Sequence, residues 1–401
     1  MKILYVFTSA GIQAGSVQNK VIEQIKALRY SGTDCRGLFF TTDETQGHSS
    51  ELFDFIKVPK VPKTWFRSAK QRIEYQKTVY QYFKKHKPDC DFVYCRYPGA
   101  GKYIAKWMNL KACRVFFEHL TTEGPEIKLY AKENPFKWSL SSLLSHIEFR
   151  FFPLFLEWRY GKSIRRKAVF GISNSENIAE YENSIAGKNY VRLIGGDAVN
   201  SDAFPVRNAQ TKDHLLRMIF LKGAVTSADF NGLDRLFKGM AAYQGPYQLK
   251  LKLFGRNLEN ETRMINELGI QNMVETGDFI SKNEVDGLMN EIDLGVGAMG
   301  VHRKGLISTT TIKAREYFAR GLPFFYGHQD PDLTGHPEVV NFCKEFPASE
   351  DPINFTDIIN WYQDIIKNPD LSFAMHQYAK DNLDYTVKMK RLSDYLKTLN
   401  N

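Results

Sequence analysis

Short apolar runs alternate with amphipathic helical stretches, twice over and with one polar break between. This rhythm restricts the chain to parallel α/β sheets. In the first half the runs are KILYVFT, CRGLFFT, FVYCRY, RVFFEH, AVFGIS and YVRLI. Parallel neighbours need a crossover between them, and a helix in each gap supplies it. Between the first two runs Val17, Val21, Ile25 and Leu28 recur every three or four residues, so they share one helix face. The stretch 198–214 is polar, contains Pro205 and reads as an interdomain linker. Beyond it the rhythm restarts with RMIFLKG, LKLKLFG, MVETGDF, DLGVGAM and LPFFYG. Ser281 and Glu284, in SKNE, form a capping box that opens one of the later helices. The expected domains are 1–200 and 215–368, followed by polar helices over 369–401 that return toward the first domain. A chain of 401 residues suits two or three domains at about 100–200 residues each. Two doubly wound domains facing each other leave a cleft, with ligands in the loops beyond the carboxyl ends of the strands.

The net charge of +9, from 54 basic and 45 acidic residues, suits nucleotide diphosphates, lipid phosphates, membrane surfaces or nucleic acid. A merely basic surface accounts for it as well. No RNA-binding motif or basic-aromatic repeat supports nucleic acid as a partner. The five cysteines lack metal-site spacing and read as free thiols of a reducing compartment. The opening MKILYVFTSAG reads as a first strand, not a signal peptide. No apolar stretch reaches the ~18–20 residues that span a bilayer. A cytoplasmic protein is expected.

The segment 299–323 carries the most chemistry. A strand ends near Met299, and a basic loop of His302, Arg303, Lys304 and Gly305 follows. Then come the Ser/Thr run 308–311, which includes Ser308 and Thr309, a helix, and a strand after Pro323. Ser and Thr cap helices, and a helix N-terminus beside a basic loop favours anions through its free N–H groups and dipole. Lys313 falls in the first helical turn, where the dipole disfavours a cation unless an anion binds there. Glu316 shares its face. A lysine for phosphate and a carboxylate for ribose hydroxyls suit a nucleotide diphosphate; an ordinary surface pair is the alternative for these two residues alone.

The 313–323 stretch, K-A-R-E-Y-F-A-R-G-L-P, resembles the helix of the retaining glycosyltransferases of the GT-B fold, the group 1 transferases of family four. The pattern there is E-A-M-A-x-G-x-P or K-x-x-E-Y-x-A-x-G-x-P. The resemblance implies an α/β GT-B architecture of two Rossmann-like domains, with Glu316 on the donor ribose. It also implies a donor-sugar glutamate eight residues earlier, where this chain has Ser308. The stretch IFLKGAVTSADFNGLD resembles the family's diphosphate-holding F-V-G-R-L…K-G-L-D; the expected lysine is Asn231, leaving Lys222 and Arg303 to supply charge. Gly255 and Arg256 in LKLFGRN resemble the family's glycine turn after the next strand, with Arg256 toward the same end of the sheet, and Gly277 with Phe279 in VETGDF resemble the stretch that lines the donor base; Phe279 also fits a core position. Gly11 and Gly15 in GIQAG match the glycine loop facing the donor. His119, at the strand end in FFEH, stands where the family often has a histidine near the reacting sugar; a structural histidine is the alternative. Arg96 is a further strand-end residue facing an acceptor.

The stretch 143–167, LLSHIEFRFFPLFLEWRYGKSIRRK, is dense in aromatic and basic residues. It reads either as contact with an anionic membrane or as a buried helix pair. The resemblance to the group 1 transferases implies that the chain moves a sugar from a UDP- or GDP-sugar donor to a hydroxyl of a saccharide or lipid-linked saccharide, in cell-surface polysaccharide synthesis. The same resemblance implies retention of configuration and no obligatory metal or other cofactor. A nucleotide-sugar epimerase and a non-catalytic nucleotide- or carbohydrate-binding protein are the alternatives.

Overall fold

The computed structural model describes residues 1–8, 16–42, 51–110, 114–133, 138–208, 213–223 and 228–400. The chain forms two compact units. One comprises Met1–Gly195 with Lys388–Asn401, the other Gly196–Val387.

The first unit holds a seven-stranded sheet: β1 (Lys2–Thr8), β2 (Asp34–Thr41), β3 (Phe53–Lys57), β4 (Phe92–Arg96), β5 (Arg114–His119), β6 (Gly171–Ser173) and β7 (Val191–Ile194). The order is β3-β2-β1-β4-β5-β6-β7, every pair parallel. Helix Ser16–Tyr30 makes the first crossover and buries Val21, Ile25 and Leu28. The second unit holds β8 (Leu215–Leu221), β9 (Gln248–Phe254), β10 (Val274–Gly277), β11 (Leu294–Val296), β12 (Phe324–Tyr326) and β13 (Cys343–Glu345). Its order is β10-β9-β8-β11-β12-β13, again all parallel. Each order reverses direction once, between β1 and β4 and between β8 and β11, and at such switch points the loops diverge and leave a crevice.

Central strands are covered on both faces and so read as unbroken apolar runs: Val93, Tyr94, Phe116 and Phe117 are all buried. The two strands outside the expected runs, β3 and β13, are sheet edges with one neighbour each, and their sequences FDFIK and CKE are correspondingly polar. The stretch 198–214 packs into the second unit where described: Val199 bridges Asp384, and buried Arg207 donates to the Asp293 carbonyl at 3.2 Å. The last helix, Tyr385–Asn400, spends its final turns in the first unit. There Leu392 and Leu396 are buried, and the Ser393 and Thr33 hydroxyls meet at 2.8 Å. No helix among the described residues is long and apolar enough to cross a membrane.

Candidate functional site

In the second unit the chemistry gathers beyond the carboxyl ends of β8, β11 and β12. Helix Ile312–Arg320 starts there, with the Thr311 side chain accepting from the Ala314 N–H at 3.4 Å. It stops at Gly321, which is left-handed at φ 68°; a Cβ there would sit 2.3 Å from the Ser372 carbonyl oxygen, so only glycine fits. Of the Ser/Thr run, Thr311 alone caps the helix. Ser308 and Thr309 are buried in a short parallel bridge, with Thr309 N–H donating to the Gln329 carbonyl at 3.0 Å. The Thr310 hydroxyl accepts from the Asp197 N–H at 2.8 Å.

The expected cations divide into paired and unpaired. Arg303 forks onto Asp234, with both contacts at 2.9 Å, and its Nε donates to Glu350 at 3.0 Å. His302 Nε2 meets the same Glu350 at 2.8 Å, and Gly305 closes this turn in the left-handed region at φ 71°. Lys304 lies over the Phe230 ring, 4.4 Å from its centroid. Lys222 is buried, donates to the Asn257 carbonyl at 2.7 Å and pairs with buried Glu261 at 2.9 Å. It packs on the turn after β9, where a Cβ on Gly255 would fall 2.5 Å from the Lys222 Cβ. Gly255 N–H donates to the Gly277 carbonyl at 3.0 Å, joining the turn glycine to the expected base-site glycine at one open groove with Asn257 and Asp278. Arg256 is exposed, 5.8 Å from the Phe279 ring centroid. Phe279 is 60% exposed, so the core alternative for it is set aside.

Lys313 differs from these. Among the described residues its ammonium makes no ion pair or hydrogen bond; it lies 3.8 Å from the Phe220 ring centroid. Burial lowers its pKa to about 7, against the pull of Glu316. Glu316 accepts from Arg320 at 3.1 Å and keeps a third of its side chain exposed. Among the described residues, nearby groups are also left without partners. Buried His328 faces the Ala298 carbonyl through Nδ1 at 3.2 Å while its Nε2 is unsatisfied. Burial holds that ring near pKa 4, so it is neutral at pH 7 with Nδ1 as donor and Nε2 as a bare acceptor. Both polar atoms of the buried Asn231 amide are unsatisfied as well. Unsatisfied buried polar atoms are uncommon and call for a partner.

The scaffold behind these groups rests on arginines that periodicity does not single out. Arg315, fully buried, grips Asp330 and Asp332 and donates to the Asp197 carbonyl at 3.2 Å. Arg235 donates to the Met299, Asp351 and Pro347 carbonyls and so fixes the loop after β11. Their signal in the sequence is only that each interrupts an apolar helix face.

In the first unit His119 ends β5 and is fully enclosed. Nε2 meets the Tyr190 hydroxyl at 3.1 Å and Nδ1 lies 3.1 Å from Glu182. Burial alone would lower its pKa, but Glu182 and Glu123 outweigh that and raise it to about 9. The atoms of His119, Glu123 and Glu182 are close enough to share a metal ion. Both carboxylates are already engaged by the buried Arg165, however, so the cluster is an ion-pair network. In front of it, at the β1/β4 switch point, lies a pocket of about 310 Å³ lined by Thr8, Arg96, Tyr97, Glu118, Glu123 and Glu157 among others. Gly11 and Gly15 lie outside the described residues.

No protein-family model matches the sequence, and no curated protein matches it. Solved structures are. Sucrose-phosphate synthase from Thermosynechococcus elongatus aligns with a TM-score of 0.65 at 14% identity, over 99% of this chain and 98% of its own. Anabaena HepE in complex with UDP and glucose gives 0.62 at 15%, over 99% of this chain and 100% of its own. The lipopolysaccharide outer core galactosyltransferase WaaB in its apo form gives 0.62 at 13%, over 99% and 100%. The fold is that of the GT-B glycosyltransferases.

Proposed function

We propose that this chain is a glycosyltransferase whose second unit binds a nucleotide-sugar, a UDP- or GDP-sugar, at the N-terminus of helix Ile312–Arg320. The observation that carries this reading is Lys313, an ammonium that pairs with no carboxylate among the described residues, in the first turn of a capped helix beside other unsatisfied groups. The fold supports it, since a structure of the same fold holds UDP and glucose.

In this reading Lys313 and the helix N–H groups meet the diphosphate, and Glu316 exchanges Arg320 for the ribose hydroxyls. The His328 Nε2 lone pair and the Asn231 amide suit hydroxyls of the sugar. Transfer breaks the bond from the anomeric carbon to the diphosphate oxygen and forms one to the acceptor oxygen. The departing diphosphate oxygen takes the bonding electron pair and accepts the acceptor hydroxyl proton. Cations fixed beforehand stabilise its negative charge as it develops, so no obligatory metal is required. Lys222 and Arg303 act as positioning residues, because their charges are already matched by Glu261, Asp234 and Glu350. The acceptor is a saccharide or lipid-linked saccharide hydroxyl held in the first unit's pocket, in cell-surface polysaccharide synthesis with retention of configuration.

A thermal-shift panel of UDP, GDP, ADP and CMP tests this. A ligand of the folded state raises Tm by mass action. One nucleotide should stabilise the wild type and lose its effect in Glu316→Ala. An unchanged shift in Glu316→Ala would remove the donor site from this helix. A non-catalytic nucleotide binder is the second reading, favoured by Ser308, a small buried residue whose backbone lies in the bridge with Gln329. Binding without release of nucleoside diphosphate in the presence of saccharide acceptors would select it.

A further inference from the structure

In the first unit, 140–167 is one unbroken helical path: Leu140–His146, Ile147–Phe151, Phe152–Leu156, Glu157–Gly161 and Lys162–Lys167, the second and fourth being π turns. Its two sides differ sharply. Inward, Pro153, Leu156, Gly161 and Ile164 are buried, and Pro153 and Glu157 line the 310 Å³ pocket. Outward, Leu140, Leu143, Ile147, Phe151, Phe155 and Trp158 follow one another at spacings of three or four and share a face. All six are exposed, Trp158 by 78%, Phe151 by 56% and Phe155 by 53%. Eight of the sixteen exposed large apolar side chains among the described residues fall within 138–158. Such concentration marks an interaction surface, since single exposed apolar residues scatter.

The charges around this stripe choose the partner. Arg159, Lys162, Arg166 and Lys167 are exposed at its carboxyl end, and the Arg150 guanidinium lies 5.4 Å from the Phe151 ring centroid. A second copy docking face to face would set these cations against their own kind, whereas an anionic bilayer neutralises them. Trp and Phe on one helical face with Lys and Arg beside it are the composition that settles at a lipid headgroup boundary.

We propose that the exposed face of the 140–167 helix docks this protein on an anionic membrane surface. The same helix then sets the pocket behind it at the membrane. The corollary, which rests on the glycosyltransferase reading, is that the acceptor is carried on a lipid.

The test uses the full chain and large vesicles of phosphatidylcholine, alone or with 30% phosphatidylglycerol as a chosen composition, at low salt. The wild type should co-sediment with the anionic vesicles and not with the neutral ones. Phe151→Glu/Phe155→Glu/Trp158→Glu should weaken that partition at least tenfold, and Arg159→Gln/Lys162→Gln/Lys167→Gln should flatten its salt dependence. Nucleotide thermal shifts should be the same in both variants as in the wild type, which shows them folded and keeps this test separate from that of the donor site. A wild type that stays in the supernatant with anionic vesicles overturns the proposal. So does an aromatic variant that partitions normally. A wild-type dimer dissolved by the aromatic variant, with vesicle partition unchanged, gives the face to a second copy.

Discussion

At the scale of single residues, Lys313 is where a ligand and stability pull in opposite directions. Its pKa falls from 10.5 to about 7, so the folded chain sheds a proton that the unfolded chain keeps. The penalty is full below pH 7, shrinks as pH rises and is gone above 10.5. Lys313→Met keeps the contact with Phe220 without the half-buried charge and should stabilise the protein by about 2 kcal/mol at pH 7. It should weaken nucleotide binding at least tenfold. In the wild type, affinity should decline as pH rises above about 7, because the free ammonium is lost while a bound phosphate holds it protonated. Denaturant melts and nucleotide titrations from pH 6 to 9 measure both effects. A variant that is no more stable and binds as before would show Lys313 to be an ordinary surface lysine. Little of this was legible in the sequence. The motif gave the position, but the absence of a partner depends on where every carboxylate in the fold ends up.

Among the elements, the turns beyond the strands show why the sequence reading separated position from role imperfectly. The strands, the crossovers and the capping box at Ser281 follow from local periodicity and local hydrogen bonding, and they stand in the structure. The pairing of Arg303 with Asp234 and Glu350 spans 69 and 47 residues, and no local pattern encodes it. Phe279 likewise looked apolar enough for a core, yet follows a strand at the sheet's edge and is left exposed. Lys222 is the sharpest instance. A lysine after a strand reads as a phosphate ligand, but its partner Glu261 is buried with it. Lys222→Met should therefore cost about 3–5 kcal/mol, because it strands a buried carboxylate. Lys222→Met/Glu261→Leu should recover most of that loss. If Lys222 only positions the Gly255 turn, the double variant will bind nucleotide within about threefold of the wild type; a Lys222 that touches diphosphate leaves the double variant stable and blind to nucleotide. Urea melts beside nucleotide titrations separate the two.

Across the whole molecule, the chain leaves its first unit at Gly195 and re-enters it at Lys388, so the first unit's core is incomplete until the last helix is made. Truncation after Val387 removes buried Leu392, Leu396 and Met389, which at about 2 kcal/mol each is most of a domain's stability. Limited proteolysis should then cleave within 16–186 and spare 215–380. The two units should also answer alkali in opposite senses. In the first, His119 binds its proton up to about pH 9, against 6.5 when unfolded, so its stabilisation is full below pH 6.5 and is lost as pH rises through 9. Glu123, raised by burial, adds the same sign at lower pH. In the second unit relief of the Lys313 penalty works the other way between pH 7 and 10.5. Hydrogen exchange followed from pH 6.5 to 9, corrected for intrinsic rates, should show protection falling in β4 and β5 relative to β8 and β11. His119→Gln should flatten the first trend and leave the second, and Lys313→Met the reverse. Parallel trends in both sheets would mean that neither buried group governs the stability of its unit.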